Sequence, residues 1–378
     1  MLDPRVGMKI YDNAWYIRHR LEPEQAADIL DDMGVSYVLA QSRLLPMQDT
    51  AIGSEVTTAD AARYATLNDR TFRDALASRS ISYIASLNIG FDPKFIAAHP
   101  QLLPIDQFGQ REEKIDWYIG LPPDRDENIE HKRRLLEAAV SALEPDGVHL
   151  GFMRWPGFWE IWLPDTQRAD MPDYCYGRQT LVRFCEETGT DVPTRSPAEA
   201  ASLIAAHHKT VWRDWKCSAT NRAVASIRTS LKAIKPDIEI VINTLPFFLD
   251  DFDNAVEEVF GQSVSRLADV ADVFEVMAYH QILRRSPAWP AEIASDIKRR
   301  SRAITVCTIQ GNALYLDGMH ANRGRQKTID TDEFNHIVDM VETSEADGIC
   351  VFTFIDFLEM RETADGKQRI DRLKSFRR

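Results

Sequence analysis

Eight short apolar runs, each separated from the next by a stretch of helical period, constrain this chain more than any other feature of its 378 residues. They cover 7–12, 36–41, 81–88, 147–153, 238–244, 273–280, 303–310 and 348–356. The runs are rich in β-branched and aromatic residues and nearly continuously apolar, the pattern of parallel strands covered on both faces. The first intervening helix opens at Pro23, whose missing N–H costs nothing at a first helical position, and repeats Ala26, Ile29, Leu30 and Met33 before Gly34. Further helices are expected over 60–79, 131–143, 197–234, 254–271, 291–300, 331–345 and 368–378. In the longest, Ile204, Val211, Trp215, Val224, Ile227, Leu231 and Ile234 fall on one face.

Strand and helix alternating eight times define an α/β chain, and over this length they fit a (β/α)8 TIM barrel. An open doubly wound sheet is disfavoured because no GxGxxG follows any strand. One barrel domain over 1–378 is the expectation. Its long loops, 90–130 after strand three and 154–197 after strand four, would lie on the face where barrels build active sites.

Charge and composition remove several function classes. With 45 Lys and Arg against 58 Asp and Glu, the net charge is −13, so no basic surface is expected for nucleic acid or an anionic membrane. No window approaches 18 uninterrupted apolar residues, and MLDPRVGMKIYDNAWY shows no signal-peptide pattern. The five cysteines form no CxxC pair, and Cys307 and Cys350 lie inside apolar runs. Reduced thiols and a cytoplasmic location are expected. A homo-oligomer is compatible with the exposed helices of a barrel.

For chemistry, GxxxxGK[ST], HExxH and GxSxG are all absent. The pair His207–His208 is expected to pack on a helix rather than bind metal. No cofactor and no metal are expected. What remains is carboxylates and aromatics after the strands. Asp12 and Asp356 end strands one and eight, Glu160 follows strand four, and Asp250, Asp251 and Asp253 follow strand five, where helix capping also suits them. Trp15, Tyr16, Trp155, Phe158, Trp159, Trp162, Phe247, Phe248, Tyr279, Trp289 and Phe357 gather at the same end. Sugar rings present apolar C–H faces, so flat aromatics beside carboxylates suit a small carbohydrate or glycoside.

The stretch DGVHLGFMRWPGFWE, residues 146–160, resembles the strand-four signature of bacterial TIM-barrel glycosyl-hydrolase-like proteins, roughly DGxHLDFxRWPxxWE. VWRDWKCSATNRAVASIRTSLKAIKPDIEI, LPFFLDDFDNA, FEVMAYHQIL and GICVFTFIDFLE are similar too, in the same order, over residues 145–360. The resemblance implies a barrel that acts on glycosidic bonds. It departs at Gly151, where the family pattern has an Asp that would be the nucleophile in amylase-like barrels.

Glycosidases use two carboxylates, one to protonate the leaving oxygen and one to attack or activate water. The surviving candidates are Glu160, whose aromatic surroundings would raise its pKa, and Asp356 at the end of strand eight. Substrate-binding candidates are Asp12, Arg154 with its rigid donor fork, Trp155, Trp159, Tyr279, His280 and Gln310. Glu275, earlier in strand six, is placed toward the barrel bottom in a stabilising role. Two other readings stand beside hydrolysis. One is a metal-dependent sugar isomerase or lyase using Asp12, Asp250, Asp251, Asp253 and His280 around Mg²⁺ or Mn²⁺. The other is a carbohydrate-binding protein on a degenerate barrel, suggested by Gly151.

Overall fold

The computed structural model describes residues 2–45 and 57–376. Eight parallel strands close into a barrel in sequence order: β1 (Val6–Ile10), β2 (Tyr37–Gln41), β3 (Ser82–Asn88), β4 (Gly147–Gly151), β5 (Glu239–Thr244), β6 (Val273–Met277), β7 (Ile304–Gln310) and β8 (Gly348–Phe352), with β8 pairing back onto β1. Alternation along each strand sorts residues to two sides. Val6, Met8 and Ile10 join the main core with Ala26 and Leu30 of the helix Pro23–Asp32. The inward set forms its own cluster, with Tyr37, Leu39, Ile84, Val241, Val273, Val306 and Cys350 plugging the barrel. Above this plug lie Lys9, His149, Glu275 and Thr308, inward residues of β1, β4, β6 and β7 that bond to one another.

Four apolar runs outlast their strands. β1 stops at Ile10, so Asp12 lies beyond the strand it was expected to end. β4 stops at Gly151, β6 at Met277 and β8 at Phe352, while the residues beyond stay buried in loops: Met153, Tyr279 and His280 are each less than a tenth exposed. Asp356 therefore does not share a strand face with Cys350 and Phe352. It lies in the helix Phe354–Met360. Hydrophobicity reports burial, and here the buried layer is thicker than the barrel.

The helices follow their apolar periods with four corrections. The expected helix 60–79 is two, Thr58–Thr66 and Asp69–Ala77, because Asn68 caps the second by accepting from the amides of Arg70 and Thr71. The expected helix 254–271 is two short pieces, Ala255–Glu258 and Val264–Leu267. The break holds Gly261 at φ 53°, where a Cβ would lie 2.2 Å from the Trp155 ring. The long helix carries a π-turn, Ile204–His208, between Pro197–Leu203 and Lys209–Ile234. That wider turn shifts the apolar stripe, so Val211 is 41% exposed while Trp212 and Trp215 are buried. His207 is exposed and His208 half-buried, so neither packs into the core. Inside the second long loop, Arg178–Thr188 forms an additional helix, with Leu181 and Phe184 packed against Trp155, Trp212 and Trp215. The last helix spans Ala364–Lys374, and residues 377–378 of the expected segment lie outside the described residues.

Cys307 and Cys350 are fully buried in β7 and β8, and all five thiols are free. Among the described residues no helix is long and apolar enough to cross a membrane.

Candidate active site

The barrel mouth holds a cavity of about 360 Å³ lined by Lys9, Tyr11, Trp117, Phe152, Trp159, Glu160, Met277, Tyr279, Ile282, Leu314, Tyr315 and Phe352. It is mostly apolar with a few convergent polar groups, as small-molecule sites are. Its floor is an ion pair: Lys9 Nζ lies 2.9 Å from Glu275 Oε1, and both side chains are buried. Lys9 also donates to the Tyr279 hydroxyl at 3.2 Å, and the rings of Tyr11, Tyr279 and Phe352 stand 5.7–5.9 Å from the ammonium.

Glu275 is gripped by side chains of two more strands, one of them braced from a third. His149 Nε2 is 3.2 Å from its other oxygen, Thr308 donates to it, and Ser86 meets His149 Nδ1 at 3.3 Å. Burial alone would raise the Glu275 pKa, but the Lys9 ammonium and these hydrogen bonds outweigh it and hold the carboxyl well below its usual range. Burial likewise opposes charge on Lys9, and Glu275 overcomes it, keeping the ammonium protonated. Burial lowers the pKa of His149 despite the pull of Glu275, which favours the neutral ring. Glu275 thus supports the pocket floor directly, rather than serving the bottom of the barrel.

The walls come from loops. Trp159 packs 6.0 Å from Tyr279, which packs 5.3 Å from Phe352. Across the mouth, the Trp117 indole donates to the Tyr315 hydroxyl at 3.1 Å, tying the loop after β3 to the loop after β7. Glu160 sits in a short 3-10 turn, Trp159–Ile161, and is 6% exposed. Burial pushes its carboxyl up to about 7, against the pull of Arg154 and Arg325, with Asp116 adding a further upward push. Its Oε2 has no hydrogen-bond partner, so the proton it carries near neutrality is uncommitted. Arg325 braces this wall from behind, donating to the Glu160 carbonyl at 2.7 Å and the Ile282 carbonyl at 2.8 Å. Arg154 is buried over the Phe152 ring, 4.7 Å from its centroid, and none of its guanidinium nitrogens has a hydrogen-bond partner.

Of the residues expected from sequence, the fold brings Glu160, Trp159 and Tyr279 to the cavity, with Arg154 directly behind its wall. The others lie elsewhere. Asp356 closes a capping box, its Oδ2 accepting from the Thr353 amide and hydroxyl, both at 3.1 Å. Asp12 accepts from the Ala14 amide at 2.8 Å. Trp155 is buried in a separate aromatic cluster, donating to the Lys216 carbonyl and packing tilted against Trp215, 5.5 Å between ring centres. His280 Nε2 is 2.9 Å from Glu333 Oε1, and Gln310 joins loop backbone and Gln281. The set offered for a divalent ion is dispersed too, since Asp251 pairs with Arg285 at 3.1 Å and His280 with Glu333. Among the described residues no group of three or more His, Cys, Asp and Glu converges.

Lys9, Tyr11, Trp117, Phe152, Met277, Ile282, Leu314, Tyr315 and Phe352 are new. Lys9 had a legible signal: it is the one charge in the strand VGMKI, on the same parity as Gly7 and Tyr11. Trp117 and Tyr315 had none, because they meet only through loop packing 198 residues apart.

No protein-family model and no curated protein matches this chain. Solved structures do. The PgaB glycoside hydrolase domain of Bordetella bronchiseptica superposes with a TM-score of 0.65 at 14% identity, covering 99% of both chains. What the two share is the (β/α)8 barrel. The catalytic domain of β-amylase from Paenibacillus polymyxa follows with a TM-score of 0.62, 10% identity, and 100% and 98% coverage. β-Galactosidase from Bacillus circulans gives 0.64 at 12% identity over 99% of this chain and 56% of that one. At such identities the likeness is one of backbone architecture, and the site must be judged on its own chemistry.

Proposed function

We propose that this chain is a glycoside hydrolase-like enzyme that takes a small glycoside into the cavity at the barrel mouth, with Glu160 as its proton donor. The observation that carries this is Glu160 itself: the one carboxylic acid lining an aromatic pocket, with burial pushing its pKa up to about 7. A carboxyl in that range is protonated often enough to donate to a leaving oxygen and acidic enough to give the proton up. Trp159, Trp117 and Phe152 offer flat faces for the sugar. Lys9 and Tyr279 offer a fixed hydrogen-bonding floor, so the ring is oriented before the proton moves. The glycoside hydrolase barrels that share the fold support the same reading as analogy.

The test is turnover of a panel of 4-nitrophenyl glycosides by the wild-type chain and by Glu160→Gln. The expected result is a loss of at least 100-fold in kcat with binding retained, the usual scale for removing a general acid. Equal turnover by the two proteins would reject the assignment.

A second reading rests on Gly151. An added Cβ there would stand 2.3 Å from Asn88 Oδ1, so Asn88 occupies the space the family's Asp would need. Glu160 then has no second carboxyl beside it in the pocket lining. On this reading the chain binds the sugar and holds it uncut. Saturable binding with no product from any glycoside after prolonged incubation would favour it.

A further inference from the structure

The pocket and the layer directly behind it hold hydrogen-bond donors that no acceptor meets. Lys9 carries three N–H donors. Glu275 and Tyr279 take two, which leaves one for the cavity that Lys9 lines. Behind the Phe152 wall, outside the lining itself, Arg154 holds five more, and none is bonded although the residue is only 2% exposed. Tyr11 connects the two cations. Its ring faces Lys9 at 5.7 Å, and its hydroxyl is in electrostatic contact with Arg154. Nearby acids do not balance this arc. Glu275 is matched by Lys9, Asp116 lies 2.9 Å from His320 on the exposed rim, and Glu160 is the remaining carboxyl of the cavity lining.

A buried guanidinium is always charged, and native structures pair such charges. A sugar hydroxyl brings a donor along with its lone pairs and would leave most of these N–H groups unmatched. An ionised carboxylate accepts only and carries the missing charge. We propose that the ligand of this pocket is a sugar ring bearing a carboxylate, of the uronic acid kind, with that carboxylate seated against Tyr11 and Lys9 and drawn by the unpaired Arg154 guanidinium behind the Phe152 wall. This rests on the pocket being a glycoside site, and it adds the class of sugar.

The arrangement couples to Glu160. The groups facing that carboxyl are Arg154, Arg325 and Asp116, with the hydroxyls of Tyr11, Tyr118 and Tyr315. A bound anion favours its protonated form, and by linkage the protonated form favours the anion. Affinity for a uronide therefore weakens as pH rises through neutrality, while affinity for a neutral glycoside changes less.

Trp117 and Trp159 line the cavity, so their fluorescence reports binding. The experiment titrates methyl glucuronides and galacturonides, the matching neutral methyl glycosides, and glucose 6-phosphate and 6-sulfate. The expected result is that a uronide binds at least tenfold tighter than its neutral counterpart. Arg154→Met should erase that preference without lowering the unfolding midpoint, because no hydrogen bond is lost. Lys9→Met combined with Glu275→Gln, which removes both charges together, should narrow it. Equal affinity for acidic and neutral glycosides, or a preference that survives Arg154→Met, overturns the proposal. Tighter binding of the 6-phosphate or 6-sulfate overturns the carboxylate in favour of a tetrahedral oxyanion. The two readings separate in 4-nitrophenyl glucuronide. Binding without cleavage keeps the acidic sugar and rejects the hydrolase, whereas cleavage confined to neutral glycosides does the reverse.

Discussion

Asn88 and Gly151 show how one missing Cβ changes a site. The Asn88 carboxamide lies over Gly151, 2.3 Å from where a Cβ would be, and both residues are buried. Replacing Gly151 with Asp forces that carboxamide aside, at a cost of about 1–3 kcal/mol for overpacking a tight interior. The expected outcome is a lowered denaturation midpoint for Gly151→Asp and substantial recovery when Asn88→Ala is added. A double variant no more stable than the single one would show that the crowding lies elsewhere. Glu160 was readable because a Glu directly after a Trp in a long strand-four loop is an acid in apolar company. Arg154 and Tyr279 were readable as polar ends of buried runs. Lys9 stands alone as a charge in an apolar strand, and its importance comes from a carboxylate 266 positions away in sequence.

At the scale of elements, the end of β8 shows why a candidate acid can be misplaced. Period-two counting carries Asp356 onto the inward face only if the strand continues, and the strand stops at Phe352. The next turn needs a cap, and Thr353 with Asp356 supplies one in which each side chain accepts from the other's backbone. Asp356→Ala should therefore cost about 1 kcal/mol of stability, the usual value of such a cap. Turnover, once a substrate is in hand, should stay within a few-fold of wild type. A loss as deep as that of Glu160→Gln would give Asp356 a part in the chemistry. The same contest between local pattern and packing placed Trp155 outside the pocket. Its indole needs a partner for the N–H and a flat neighbour, and it finds the Lys216 carbonyl, Gly261 and Trp215. The π-turn at Ile204–His208 moved Val211 out and Trp212 in for a related reason. One extra residue in a turn rotates everything after it.

Over the whole molecule, buried carboxyls make stability fall on the alkaline side. Glu112 is 5% exposed, accepts from the Gly120 amide at 3.1 Å, and is pushed up to about 8 by burial; Glu160 is pushed up to about 7. Above the ordinary value of 4.5 the unfolded chain has released these protons while the folded chain keeps them. The folded state therefore binds more protons, and stability declines as pH rises through 7 and 8. For Glu112 the full effect is on the order of 5 kcal/mol. Unfolding midpoints should be higher at pH 5.5 than at pH 8.5. Glu112→Gln, which keeps an acceptor for the Gly120 amide, should recover much of the difference; an unchanged pH dependence would acquit Glu112.

The barrel is legible in the amino-acid order alone. Alternating strand and helix is written in local periods, because each element must bury its own apolar face, and eight such units over this length close on themselves. That order also marks the loop after strand four and its acid, since aromatic density signals burial wherever it falls. Which polar groups meet is set by long-range packing: Lys9 with Glu275, Trp117 with Tyr315, Arg154 with no hydrogen-bond partner among the described residues, and Asp356 with a helix cap. Those pairings depend on strand register and on loop paths across the mouth. Both are settled by contacts between residues far apart in the chain, which no local pattern encodes.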